Sequence, residues 1–244
     1  MQLGAGLVVA VDRNNDCLRS INRISKLTET FVGVCEKTGS NDDRLTPGTA
    51  RFSGPWDVIV NNQNTSFLYV TDEYNDAIRL VNIKTKMVST LVSSSNIDNP
   101  KGIIQDKTGN LYVVANHALL KIMPQDGSIT IQTLSGSTST KGFLDSMRRK
   151  ALYNEPRSVV MLNPTMFLLA DHKNNLLRVV DLKTNRTTSV CTGNIGYGSG
   201  PIDQCELNKP SSLLIAGTTV YIGEWKGIRK ITGGQYTSSA VNPL

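Results

Sequence analysis

Five stretches of the chain share one arrangement of apolar and polar positions: LVVAVDRNNDCLRSI (7–21), FLYVTDEYNDAIRLV (67–81), LYVVANHALLKI (111–122), MFLLADHKNNLLRVV (166–180) and TVYIGEWKGIRKI (219–231). Each reads as an apolar strand closed by a polar residue, a short turn, and a second strand that opens with a basic residue. The closing residues are Asp12, Asp72, Asn116, Asp171 and Glu224; the basic ones are Arg19, Arg79, Lys121, Arg178 and Arg229. The two are seven positions apart where the turn is long and five where it is short. A difference of two keeps every side chain on its face of a sheet, whereas a difference of one would reverse them.

Four copies are preceded by a bulky residue with proline three positions later: Phe52 with Pro55, Ile97 with Pro100, Tyr153 with Pro156, and Leu207 with Pro210. The proline fixes φ ahead of a further strand, in WDVIV, KGIIQ, RSVVM and SSLLI. An outer strand follows each hairpin, as in MVSTLV, ITIQTL and TTSVCT. The expected fold is all-β: five repeated units of four antiparallel strands. They cover approximately 1–51, 52–96, 97–152, 153–206 and 207–244 of a single domain.

This pattern resembles the NHL repeat, whose usual form is a lead-in "ARFNxPxG(I/V)", a turn, "LYVADxxNxRI" and a last strand. The lead-in stands here as Ala50-Arg51-Phe52-Ser53-Gly54-Pro55 and as Ala151-Leu152-Tyr153-Asn154-Glu155-Pro156, and the hairpin as residues 68–79. The likeness covers nearly the whole chain; the third and fifth copies depart most, with shortened turns and with Asn116 and Glu224 in place of aspartate. It implies a β-propeller. Residues 1–11 read as a strand, too short a stretch before Asp12 for a complete inner strand and turn, while Val241-Asn242-Pro243-Leu244 looks like another lead-in. NHL propellers commonly have six blades. The reading favoured is an excerpt of a longer chain with a sixth blade outside these residues, over two termini that meet to complete one blade.

In each copy the acid and the basic residue read as structure, the first accepting turn N–H groups and the second bracing a neighbouring strand or blade. Candidate chemistry is sparse. His117 and His172, the only histidines, each follow the closing residue of their copy. NHL-type amidating lyases hold zinc through histidine, so the resemblance makes these two the metal candidates. A catalytic zinc needs three protein ligands, though, and the matching positions elsewhere are Arg13, Glu73 and Trp225. Propeller lactonases hold calcium with axial carboxylates and amides; the five closing residues are the only set that would imitate them, and their basic partners oppose a cation. No cofactor and no catalytic residue is expected, and the chain reads as a non-enzyme. The segment Gly193–Gly200 lacks the following helix that phosphate binding needs and reads as an interblade loop. Trp56 is expected between blades, and Trp225, in a turn, is the candidate for a binding surface.

Four cysteines form two local pairs, Cys17 with Cys35 and Cys191 with Cys205, which suits disulfides in an oxidising compartment; four buried thiols are the alternative. The sequons at Asn64 and Asn185 lie in polar segments between strands, where a glycan would meet solvent. Together they favour a secreted or cell-surface glycoprotein. The net charge of +6 raises an RNA-binding intracellular module as the alternative, but apart from Arg148-Arg149-Lys150 the basic residues are scattered, so nucleic acid is disfavoured. No apolar run approaches the ~20 residues of a membrane span. The expected role is a scaffold that contacts a protein or glycan partner within a larger extracellular assembly.

Overall fold

The structure, a computed structural model, describes residues 2–3, 6–125, 127–147, 150–201, 203–232, 236–237 and 240–241. Arg148 and Arg149 of the basic cluster, and Asn242 to Leu244 of the last lead-in, lie outside them.

Alternating strands assemble into five sheets, each one blade of a β-propeller. Blade 1 comprises β1 (Gln2–Leu3), β2 (Leu7–Asp12), β3 (Cys17–Asn22) and β4 (Thr28–Val32). Blade 2 comprises β5 (Pro55–Val60), β6 (Phe67–Asp72), β7 (Ala77–Asn82) and β8 (Val88–Ser93). Blade 3 comprises β9 (Pro100–Gln105), β10 (Leu111–Ala115), β11 (His117–Gln125) and β12 (Ser128–Ser137). Blade 4 comprises β13 (Pro156–Asn163), β14 (Met166–Asp171), β15 (Leu176–Asp181) and β16 (Arg186–Val190). Blade 5 has three strands among the described residues, β17 (Ser212–Ala216), β18 (Thr219–Glu224) and β19 (Gly227–Thr232); β20 (Tyr236–Thr237) pairs separately with β21 (Ala240–Val241). In each blade the strands neighbour one another in chain order, as short connections require. Prolines 55, 100 and 156 open β5, β9 and β13.

The first eleven residues differ from the single strand expected of them. Leu3 pairs with Leu7 and Gln2 with Val8, so this stretch is a hairpin and blade 1 has a two-residue inner strand. Gly6, at φ +82°, allows that reversal. The long turns between the second and third strands are single 3₁₀ turns at Arg13–Asn15, Glu73–Asn75 and His172–Asn174. Each ends on a left-handed residue, Asp16, Asp76 or Asn175, the types that tolerate this conformation best after glycine.

By its contacts the chain divides into two compact units, Met1–Leu111 with Met123–Ile129, and Tyr112–Ile122 with Thr130–Leu244. In the first, the facing sides of blades 1 and 2 bury Val9, Leu18, Phe31, Leu68, Val70 and Val81 around Phe52. In the second, blades 4 and 5 bury Val160, Leu168, Leu177, Val179, Val220 and Ile222 around Leu207. The bulky lead-in residue is thus the plug at each blade junction; Phe52, Ile97 and Tyr153 have no exposed surface. At roughly 25 cal/mol per Å² of apolar surface, burying one such side chain contributes about 2–3 kcal/mol.

Hydrogen bonds between blades repeat as the sequence does. The residue before each lead-in proline (Gly54, Asn99, Glu155, Lys209) has φ between +50° and +60°. Its N–H is taken by a side chain from the turn of the preceding blade: Asp16 Oδ1 at 2.7 Å, Asp76 Oδ1 at 2.9 Å, His117 Nδ1 at 3.2 Å and Asn175 Oδ1 at 3.2 Å. A second link joins inner strands, with Asp57 Oδ2 accepting from Ile103 N–H at 3.1 Å and Ser158 Oγ from Leu213 N–H at 3.0 Å.

Candidate functional site

The acid and basic residues meet in four of the five repeats, and burial separates the copies into distinct kinds. In blade 2, Arg79 Nη1 donates to Asp72 Oδ2 at 2.7 Å and to Arg51 O at 2.9 Å, while Nη2 donates to Asn41 O at 3.1 Å and Asp42 Oδ1 at 2.7 Å. Blade 4 repeats this: Arg178 Nη1 reaches Asp171 and Leu152 O, and Nη2 reaches Leu144 O and Asp145. Both guanidinium groups are fully buried, 5.1 Å from the Phe52 ring and 4.9 Å from that of Tyr153. The two Nε atoms have no hydrogen-bond partner, and the ring stacking is what offsets that cost. Burial pushes the Asp72 and Asp171 carboxyls up, against the hydrogen bonds from Asn75 and Asn174, from the backbone of Ser53 and Asn154, and from the arginines.

The other three copies are weaker. Asp12 and Arg19 pair at 3.3 Å in a partly solvated site. Arg229 Nε stands 3.5 Å from Glu224 Oε1. Asn116 donates to Thr138 O, and Lys121 Nζ lies 5.8 Å from the Tyr112 ring centre. Asp42 and Asp145, which complete the two buried networks, had no place in the sequence reading. Their signal was a shared G-x-x-D, Gly39 to Asp42 and Gly142 to Asp145, whose glycine carbonyls accept from Asn75 and Asn174.

Both imidazoles meet backbone groups. His117 Nδ1 accepts the Glu155 N–H, which places its proton on Nε2. His172 is 5% exposed and its Nδ1 lies 3.2 Å from Pro210 O, so there Nδ1 carries the proton. Burial first, then Arg157, lowers the His172 pKa to about 4. Among the described residues no group of three His, Cys, Asp or Glu side chains could hold a metal ion. The matching positions of blades 1 and 2 hold Arg13 and the buried Glu73, which pair at 2.6 Å, and Lys101 of blade 3 pairs with the same carboxylate at 3.2 Å; both cations lie near the Trp56 ring. Trp225 is 69% exposed with Lys209 Nζ 5.3 Å from its ring.

Both cysteine pairs are disulfides, Cys17–Cys35 and Cys191–Cys205. Asn64 is exposed and its Oδ1 accepts the Ser66 N–H at 3.1 Å; Asn185 sits in the turn between β15 and β16 at φ +58°. Two cavities lie in the second unit. One, of about 740 Å³, is lined by Leu134, Met147, Leu182 and Asn185; the other, of about 270 Å³, lies under the loop closed by Cys191–Cys205 and is lined by Arg229 and Ser199. Among the described residues no helix is long and apolar enough to cross a membrane.

No protein-family model matches the sequence. The chain is 25% identical over 191 residues to NHL repeat-containing protein 2 of Homo sapiens, and 25% over 202 residues to that of Bos taurus. These alignments take in 66% and 71% of the chain but 26% and 27% of the relatives, so it spans about a quarter of their length. The chain is a β-propeller whose repeats are similar to those of NHL-repeat proteins. Among solved structures this propeller resembles an auxiliary nutrient binding protein from Bacteroides ovatus (TM-score 0.64, 18% identity, 92% of this chain and 65% of that one). It also resembles a chain of a nidogen/laminin complex (0.62, 13%, 93% and 72%) and a virginiamycin B lyase from Staphylococcus aureus (0.54, 13%, 95% and 84%). At these identities the likeness is one of fold, and this propeller shares that fold with both binding proteins and enzymes.

Proposed function

We propose that this propeller is a non-enzymatic extracellular or cell-surface module that binds a protein or glycan partner. The observation that carries the reading is the pair of disulfides, because both join cysteines close in sequence and such bonds persist in oxidising compartments. The two sequons support it: Asn64 is exposed, and Asn185 borders a wide cavity at a turn. His117 Nδ1 accepts the Glu155 N–H, which keeps the proton on Nε2 and weighs against that ring as a metal ligand. One neighbour in fold is an auxiliary nutrient binding protein, which fits a binding role. Trp225 offers the exposed aromatic surface that such contacts favour.

The test is intact mass, with and without reductant, on protein secreted from eukaryotic cells, followed by peptide mapping. The expected result is a four-dalton increase on reduction, about one proton mass per thiol, and glycan on Asn64 or Asn185. Four free thiols with both asparagines bare would overturn the reading. Trp225→Ala should then weaken capture of the glycan or protein ligand found by array screening, without changing the thermal midpoint.

A further inference from the structure

We propose that the 270 Å³ cavity of blade 5 is a carboxylate-binding site, created by one substitution within the repeat. In blade 2, Arg79 Nη2 donates to the carbonyl of Asn41 and to the carboxylate of the next residue, Asp42. In blade 4, Arg178 Nη2 donates to the carbonyl of Leu144 and to the carboxylate of the next residue, Asp145. In blade 5, Arg229 Nη2 donates to the carbonyl of Gly198 at 2.8 Å, and the next residue is Ser199, whose Oγ stands 3.4 Å away. Arg229 Nη1 completes the parallel, reaching Glu206 O where Arg79 and Arg178 reach Arg51 O and Leu152 O.

The serine has two fewer heavy atoms than the aspartate it replaces and is uncharged, so the guanidinium edge that is capped in two blades faces a cavity in the third. Among the described residues Glu224, at 3.5 Å from Nε, is the only acid within ion-pair distance of Arg229. The Glu206 carboxylate is packed against Gly196 and Gly198 instead. Lys230 and Gly200 also line the cavity, together with Leu207, Ile222, Ile231 and the Cys191–Cys205 disulfide. The second Nη2 N–H, which Asp42 and Asp145 cap in the other blades, lies here beside a hydroxyl and suits a carboxylate on a short aliphatic stem, from a free organic acid or from an acidic side chain of a peptide. This deepens the binding role proposed above and fails separately from it, since the disulfide and glycan maps do not depend on the cavity.

Ser199→Asp would restore the cap within the chain. Its thermal midpoint should rise by about 2–4 °C. Calorimetric titration of the wild-type protein with succinate, and with an amidated tripeptide Ala-Asp-Ala, at constant ionic strength set by sodium chloride, should give millimolar binding of at least one, weakened at least tenfold in the Ser199→Asp protein. Binding of succinate alone assigns the site to small acids; binding of the peptide alone assigns it to an acidic side chain. No binding of either by the wild-type protein, or equal binding by both proteins, would overturn the inference.

Discussion

Arg79 Nη1 lies 2.7 Å from Asp72 Oδ2 with neither side chain exposed beyond 1%. Breaking a buried pair of this kind leaves one charge uncompensated, so Arg79→Met should destabilise the protein by about 3–5 kcal/mol, and Arg178→Met by a similar amount. Arg19→Met, at a partly solvated pair, should cost under about 1 kcal/mol. Urea unfolding of the three variants measures this; equal losses at all three would show that burial does not set the difference.

Acid stability should report His172. Its folded pKa of about 4 lies below the ordinary 6.5, so the unfolded chain takes up the proton first. The contribution of the neutral ring is therefore complete above pH 6.5 and is lost as pH falls from there toward 4. The loss should be on the order of 2 kcal/mol. His172→Gln should flatten the stability profile in that window while leaving the profile above pH 7 unchanged, as seen by denaturation at stepped pH.

Gly136 stands at φ +87° at the end of β12, where a Cβ would meet the carbonyl oxygen of His117 and come 2.7 Å from the Tyr153 ring. Gly136→Ala must displace the plug of the blade 3–4 junction, at a cost of more than about 3 kcal/mol. Gly217, at φ +60° with open space around it, should lose only about 1 kcal/mol to the same change. Thermal unfolding separates them.

Removing the Cys191–Cys205 bridge with a double serine variant should cost about 3 kcal/mol, given the 14-residue separation it closes. Hydrogen exchange should show the loss of protection confined to residues 192–204 and to the strands that meet Arg229, β17 to β19. Uniform deprotection of all five blades would contradict that.

Much of the fold was legible in the sequence, because a period of two recurs in all five copies, with a closing acid and a lead-in proline in four each. Hairpin positions, the proline-led inner strands and the cysteine pairing all follow from neighbours close in sequence. The inner strand of blade 1 escaped notice because two residues are too few to carry a period. Asp42 and Asp145 escaped for another reason: their partners lie 37 and 33 residues away, and a lone aspartate in a polar loop looks like any solvated charge.

His117 shows where local pattern ends. The chain specifies an imidazole after a closing asparagine, which equally fits a metal ligand; only the approach of the Glu155 N–H makes that ring the link to the next blade. The five acid–basic pairs likewise look equivalent in the sequence, since spacing fixes which residues meet but not how much water they keep. Packing around Phe52 and Tyr153 withdrew Arg79 and Arg178 from solvent and left Arg19 in it. Strand, turn and repeat are short-range properties written in the order of residues, whereas burial, and with it charge energetics and the cavity beside Arg229, arises only when distant segments pack together.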